Sequence, residues 1–259
     1  MPKAFTRAVS PLLADCELTH LDRVPIDAAK ATAQHEAYEA ALRQAGFEIV
    51  RLPDLPEYPD GTFVEDTALL LDGHAVILRP GVASRAAEIE STAAGLADHF
   101  ELHRLTDGNV DGGDVLRVGR TLYVGLSSRT DDAGLAALRE TAQEFGFDLV
   151  QAKSDRCLHL KSGATFAGSD ASGTPILLYN PRHIDPTQFS GVEPIPVDPG
   201  EEHAANAVRA GNFLILPAGN PRTAAKLCER GFALIEVDVS ELQKAEAGLT
   251  CMSLIDNRA

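Results

Sequence analysis

Four stretches of the chain repeat one pattern: a short strand with acidic or polar positions, a turn, then a second strand of apolar residues. They read TFVEDTALLLDGHAVILRPG (62–81), NVDGGDVLRVGRTLYVGLSSRT (109–130), HLKSGATFAGSDASGTPILLYNP (159–181) and HAANAVRAGNFLILPAG (203–219). Asp66, Asp114, Ser162, Asn206 and Cys251 hold matching places at intervals of 48, 48, 44 and 45 residues. A period in this range marks a propeller or a solenoid. Between copies the period becomes helical: Ile89, Ala93, Leu96 and Phe100 form one apolar stripe, and Leu135, Leu138, Ala142 and Phe145 form another. NPRTAAKLCERG predicts a third helix, with Asn220 as its cap, Pro221 in its first position and Gly231 past its end. A short strand follows each helical stretch: FEIVRLP, FELHRL, FDLVQA and FALIEVD. The predicted unit is strand, strand, helix, strand, and about five units fill the chain.

KAFTRAVSP, near the start, has the form of a strand lacking its partner, and LTCMSLI, near the end, would supply it. Such closure removes an exposed sheet edge. The expectation is therefore a five-bladed α/β propeller whose terminal strands share the first blade, a single domain over residues 1–259.

Composition narrows the function. The chain of 259 residues is 44% hydrophobic and 24% charged, ordinary values for a globular protein. No apolar run approaches the ~18 residues of a membrane helix, and MPKAFTRAVSPLLADCE meets charge and proline too early for a secretory signal. A cytoplasmic protein is expected. A net charge of −15 argues against nucleic acid as a partner and suits a cationic small molecule. Cys16, Cys157, Cys228 and Cys251 include no CxxC pair, which argues against a zinc cluster and for free thiols.

In a closed ring, equivalent positions of successive units face a shared centre. That places Glu65, Asp66, Asp111, His159 and Cys251 around one site. Each alone has a plainer reading: an exposed acidic turn, a glycine-rich hairpin in DGGD, a core histidine, a spare thiol. Their common phase favours convergence. Together they offer a thiol nucleophile, an imidazole that moves protons, and a carboxylate to orient it. Further carboxylates would hold a cation, best a planar guanidinium, and the glycines of DGGD would let the backbone approach a ligand.

FVEDTALL, DGGDVL, SSRT, LHLKSG, HAANAV and LTCMSL, in this order, resemble the dimethylarginine dimethylaminohydrolase family of the guanidino-group-modifying superfamily. The resemblance spans about residues 4–257 and implies the five-bladed pentein fold. It implies hydrolysis of Nω-methylated arginine to citrulline and methylamine or dimethylamine, with no metal or organic cofactor. By this resemblance Cys251 is the nucleophile, His159 the general acid/base and Asp111 its supporting acid. Glu65 and Asp66 meet the guanidinium, Asp66 more directly. Asp60 lies near the α-amino end, and Leu18 belongs to a mobile loop whose carbonyl covers that end. Arg85 and Arg129 hold the α-carboxylate. Near the nucleophile the chain departs from the family: Glu246 replaces an aspartate, and Ala245 replaces a larger apolar residue whose backbone meets the substrate. These departures bear on which alkyl group fits.

Zinc is not expected as a cofactor, although a free thiolate at Cys251 and an imidazole at His159 are ligands through which it could inhibit, a point the sequence leaves open. The rival readings are a pentein hydrolase of arginine, Nω-hydroxyarginine or citrulline, and a non-catalytic pentein binding protein. The latter lacks the cysteine, histidine and acid set. No membrane partner is expected, and a homodimer is one candidate assembly.

Overall fold

A computed structural model describes residues 1–154 and 157–258. Fifteen strands form five three-stranded sheets. The blade holding both ends of the chain comprises β1 (Lys3–Thr6), β2 (Glu48–Arg51) and β15 (Leu254–Asp256). The next blades comprise β3 (Ala68–Leu71), β4 (His74–Ile77) and β5 (Glu101–Arg104), then β6 (Val115–Val118), β7 (Thr121–Leu126) and β8 (Asp148–Lys153). The last two comprise β9 (Ala164–Ser169), β10 (Pro175–Tyr179) and β11 (Glu193–Pro196), then β12 (Val208–Ala210), β13 (Phe213–Pro217) and β14 (Ala233–Val237). In every blade the central strand pairs antiparallel on one side and parallel on the other. The closure expected from the termini is present: Lys3 pairs with Asp256 and Phe5 with Leu254, antiparallel.

Parallel neighbours need a crossover, and a helix supplies it in four blades. These helices are α1 (Ala28–Gln44), α2 (Glu88–Leu96), α3 (Asp132–Glu144) and α5 (Pro221–Glu229); the one-turn helices α4 (Leu160–Gly163) and α6 (Ser240–Gln243) lie elsewhere. The blade of β9 to β11 departs from the predicted unit. Its crossover carries only the short 3-10 turn Pro186–Gln188, and its third strand, EPIP, went unpredicted. The apolar stripes bury as expected along Leu135, Leu138 and Ala142, but Phe100 and Phe145 lie just beyond their helices. Asn220 does precede α5, yet its side chain turns back to the Pro217 carbonyl instead of capping the helix. The core sits between blades: Leu71, Val76 and Leu78 pack against Leu122, Val124 and Leu138.

The polar positions of the repeat are not on strands. They lie on single helical turns entering each inner strand: Val64–Thr67, Gly112–Asp114, α4, Glu202–Ala205 and Thr250–Met252. These turns bind one another around the axis. Asp66 accepts from the Gly113 N–H at 3.0 Å and Asp114 from the Leu160 N–H at 3.0 Å. Asn206 donates to the Lys161 carbonyl at 3.0 Å and accepts from the Thr250 N–H at 2.9 Å. Thr250 donates to Glu65 at 2.7 Å, which completes the circuit. Part of the repeat is therefore structural, because short turns leave buried N–H groups that a side chain from the neighbouring blade must satisfy.

Candidate active site

Around this ring of turns the structure brings Asp66, Asp111, His159 and Cys251 together. Asp111 and His159 each occupy the extended residue just before a turn, and Cys251 lies within the last turn. His159 Nε2 is 3.1 Å from Asp111 Oδ2, while its Nδ1 is 3.9 Å from Asp66 Oδ1. Asp111 is itself fixed, since its other oxygen accepts from the Gly81 N–H at 2.8 Å. The glycines of DGGD serve these close approaches, not a ligand. A Cβ on Gly112 would come 2.0 Å from the Glu65 carbonyl oxygen, and one on Gly113 would come 2.5 Å from His159 Nδ1.

The electrostatics divide the groups. Burial pulls the His159 imidazole down, but Asp66, Asp111 and Asp114 outweigh it and raise it to about 9. Burial pushes the Cys251 thiol up, Glu65 and Asp66 push it further, and it reaches about 12. Burial also raises Asp66, yet His159 and Arg85 prevail and hold it below the ordinary carboxylate range. Without a bound cation the pair is thus a neutral thiol beside an imidazolium.

Asp66, His159 and Cys251 line a cavity of about 20 Å³ with Asp60, Arg129 and Ala245. That volume holds about one water molecule. The roof is the segment after Cys16. Its Thr19, His20 and Leu21 N–H groups all donate to the Glu246 carboxylate, the Thr19 bond measuring 2.8 Å. The Glu17 N–H donates to Asp60 at 3.1 Å, and Arg129 Nη2 donates to the Thr19 hydroxyl at 2.9 Å. Glu246 has a φ of +55°, a left-handed backbone uncommon for a residue with a side chain. Entry of an amino acid requires this roof to move.

The expected residues take more particular positions. Glu65 turns away from the cavity and binds Lys161 and Thr250, each at 2.7 Å, beneath it. Arg85, expected at a carboxylate, also lines the cavity, and its donors are engaged by Asp66 (2.6 Å), Glu88 (2.9 Å) and the Phe63 carbonyl (2.8 Å). The Leu18 side chain packs on the core beside α1, and its neighbour Glu17 lines the cavity. Glu246 grips the roof with its carboxylate. Arg129 keeps its expected place on the cavity wall. Residues the motifs did not flag also matter. Phe63 and Leu158 line the cavity, and Glu88 neutralises Arg85 from three residues along, a spacing visible in the chain. Asp114 holds the Thr130 hydroxyl at 2.7 Å while that hydroxyl accepts the Asp111 N–H at 3.2 Å.

With this geometry in hand, comparison with known proteins is decisive. Residues 22–164 match the family model described as N,N dimethylarginine dimethylhydrolase, eukaryotic. The N(G),N(G)-dimethylarginine dimethylaminohydrolase of Streptomyces coelicolor is 35% identical over 256 residues, covering 97% of this chain and 96% of that protein. The chain belongs to the dimethylarginine dimethylaminohydrolase family. Solved dimethylarginine dimethylaminohydrolase structures agree. The Pseudomonas aeruginosa enzyme, as a cysteine-to-serine variant complexed with citrulline, superposes with a TM-score of 0.92 at 32% identity, covering 98% of this chain and 99% of that one. A histidine-to-glycine variant, seen as an adduct with S-methyl-L-thiocitrulline, gives a TM-score of 0.90 at 32% identity, covering 98% and 100%. The fold is thus the five-bladed α/β propeller of this family. Among the described residues no helix is long and apolar enough to cross a membrane.

Proposed function

We propose that the chain hydrolyses the guanidino group of Nω-methylated L-arginine to L-citrulline and dimethylamine or methylamine, acting as one catalytic domain. The observation that carries this reading is the convergence of Cys251, His159 and Asp66 at one small cavity walled by Arg129, with Asp111 bonded to His159 behind it. A planar cation is held by Asp66, while Arg129 takes the α-carboxylate and Asp60 the α-amino end. Asp60 suits that end: burial raises it to about 6, and an ammonium beside it would restore its charge.

Binding starts the chemistry. The substrate's positive charge, placed between Asp66 and Sγ, offsets the carboxylates that keep the thiol protonated, and the Cys251 proton leaves to water. The thiolate forms a C–S bond to the guanidinium carbon. His159, already protonated, delivers its proton to the departing nitrogen, and the C–N bond breaks to leave a thiouronium on Cys251. Neutral His159 then takes a proton from water, whose oxygen attacks the same carbon. The C–S bond breaks as the carbon's hydroxyl gives up its remaining proton to the departing Cys251 sulfur, so the thiol is restored, the C=O bond forms and the ureido product leaves. Asp111 keeps Nε2 oriented throughout, so that Nδ1 faces the reacting atoms. Water is the only co-reactant in this sequence.

Cys16, Cys228 and Cys251 are free thiols, as suits a reducing compartment. The test of function is a panel of guanidino and ureido amino acids assayed with purified protein, with amine and citrulline measured together. Equal amounts of both from a methylated arginine support the reading. Ammonia from arginine, with no amine from methylated arginines, refutes it.

A further inference from the structure

His74, Glu101 and His103 form a second cluster at the far end of a blade from the cavity. His74 opens β4, while Gly81, which donates to Asp111, lies beyond that strand's other end. His74 and Glu101 are direct partners across β4 and β5, and His103 stands two residues past Glu101, on the same face of the sheet. Their donor atoms all lie within 4.8 Å of one another. His74 Nδ1 is 3.1 Å from His103 Nε2 and 3.3 Å from Glu101 Oε2. The second Glu101 oxygen is 3.9 Å from His103 Nε2.

The two His74 separations match an edge of a coordination tetrahedron, and the Glu101–His103 separation of 3.9 Å closes to one by a small turn of the exposed carboxylate. Metal–ligand bonds of about 2.0–2.1 Å place ligands roughly 3.3 Å apart on a tetrahedral zinc. The cluster also arrives largely organised. The Phe145 ring stacks on His74 at 4.1 Å with an interplanar angle of 7°, and it touches the His103 ring at 4.6 Å. The turn before His74 has Asp72 at φ +47° and Gly73 at φ +108°, the left-handed pair that tight hairpins require. Asp72 is bound by Arg117 and Arg120 of the next blade, and the Gly73 carbonyl accepts the Glu101 N–H. The ligand-bearing backbone is thereby tied on both strands. The imidazole side chains are 30% and 26% exposed, so the fourth position faces water.

We propose that His74, Glu101 and His103 form a surface site for a borderline divalent cation of the zinc type, bound by two imidazoles, one carboxylate and water. Two nitrogens and one oxygen suit zinc, and they disfavour magnesium and calcium, which take oxygen ligands. The ion joins β4 to β5 and, through Phe145, locks them to the end of α3. Because it binds the folded chain, it raises thermal stability by mass action.

The test uses Zn²⁺ on the full chain in a Cys251→Ser background, which removes the thiolate of the catalytic cavity as a ligand. Equilibrium dialysis should give one Zn²⁺ per chain, with a rise in melting temperature. His74→Ala/His103→Ala should lose both. Glu101→Gln changes only a half-to-fully exposed side chain, and so should fold normally while binding Zn²⁺ at least tenfold more weakly. In the Cys251-containing chain, His74→Ala/His103→Ala should leave amine release unchanged. No bound Zn²⁺ in Cys251→Ser, or undiminished binding in Glu101→Gln and in the double variant, overturns the site and leaves a plain histidine–histidine hydrogen bond.

Discussion

Replacing Glu246 by alanine tests how the cavity is covered. Its carboxylate accepts three successive N–H groups from the roof. Hydrogen bonds to charged groups contribute about 1.5–3 kcal/mol when sheltered, and about 1 kcal/mol each is the fitting scale at this exposed edge. Loss of all three shifts closure by about 3 kcal/mol, or roughly two decades in the closed-to-open ratio. The left-handed backbone of Glu246 adds a second handle. It costs about 1 kcal/mol in a residue with a side chain, and glycine relieves it. Glu246→Ala and Glu246→Gly should therefore lose roof closure alike, with glycine the more stable by about 1 kcal/mol. Hydrogen exchange over residues 17–21 should rise by up to about a hundredfold in both, and KM should rise with it. Unchanged exchange in either variant would refute the roof's dependence on this carboxylate.

Further outcomes separate the two arginines, the histidine and the last strand. Arg85→Ala strands the buried Asp66 and Glu88 carboxylates and should cost about 3–5 kcal/mol in chemical denaturation, whereas Arg129→Ala should chiefly raise KM for substrates that carry an α-carboxylate. Equal destabilisation by both would contradict the geometry. His159 lies above its unfolded value, so its contribution to stability is complete below about pH 6.5 and is lost as pH rises through about 9. Stability curves of wild type and His159→Gln should diverge in slope within that window, and parallel curves would remove the raised imidazole. Deleting residues 248–259 removes β15 along with Cys251, and should lower the melting temperature sharply; a truncated chain as stable as the full one would contradict ring closure.

The ring was legible because each blade consumes a nearly constant length of chain, and because Asp66, Asp114 and Asn206 repeat for a structural reason, each satisfying a neighbouring turn. Only the third strand of the blade of β9 to β11 escaped, because a crossover without a helix has no hydrophobic period to detect. The single turns were read as strands for a similar cause: three or four residues cannot display a period. Glu65 was grouped with Asp66 because the two are adjacent in one acidic pair. Successive residues in a 3-10 turn point about 120° apart, so Glu65 and Asp66 could not both face one cavity. Arg85 was assigned by its place in a motif, while its direction depends on Glu88, three residues along, and on Asp66, which only packing brings near. Asp111, His159 and Cys251 converge as their shared phase implied, because Asp111 and His159 precede equivalent turns and Cys251 lies in another turn of the same ring.

The central claim is that Cys251 carries the reaction and His159 resolves it. Intact-protein mass spectrometry of wild type, Cys251→Ser and His159→Gly, each incubated with a methylated arginine and with its S-methyl-thiocitrulline analogue, tests it directly. The serine variant should give no adduct and no citrulline. The glycine variant should give an adduct on Cys251 that persists, since no imidazole is left there to activate water. Citrulline formed by Cys251→Ser at a near-normal rate, or an adduct mapped to Cys16, Cys157 or Cys228, would contradict the claim.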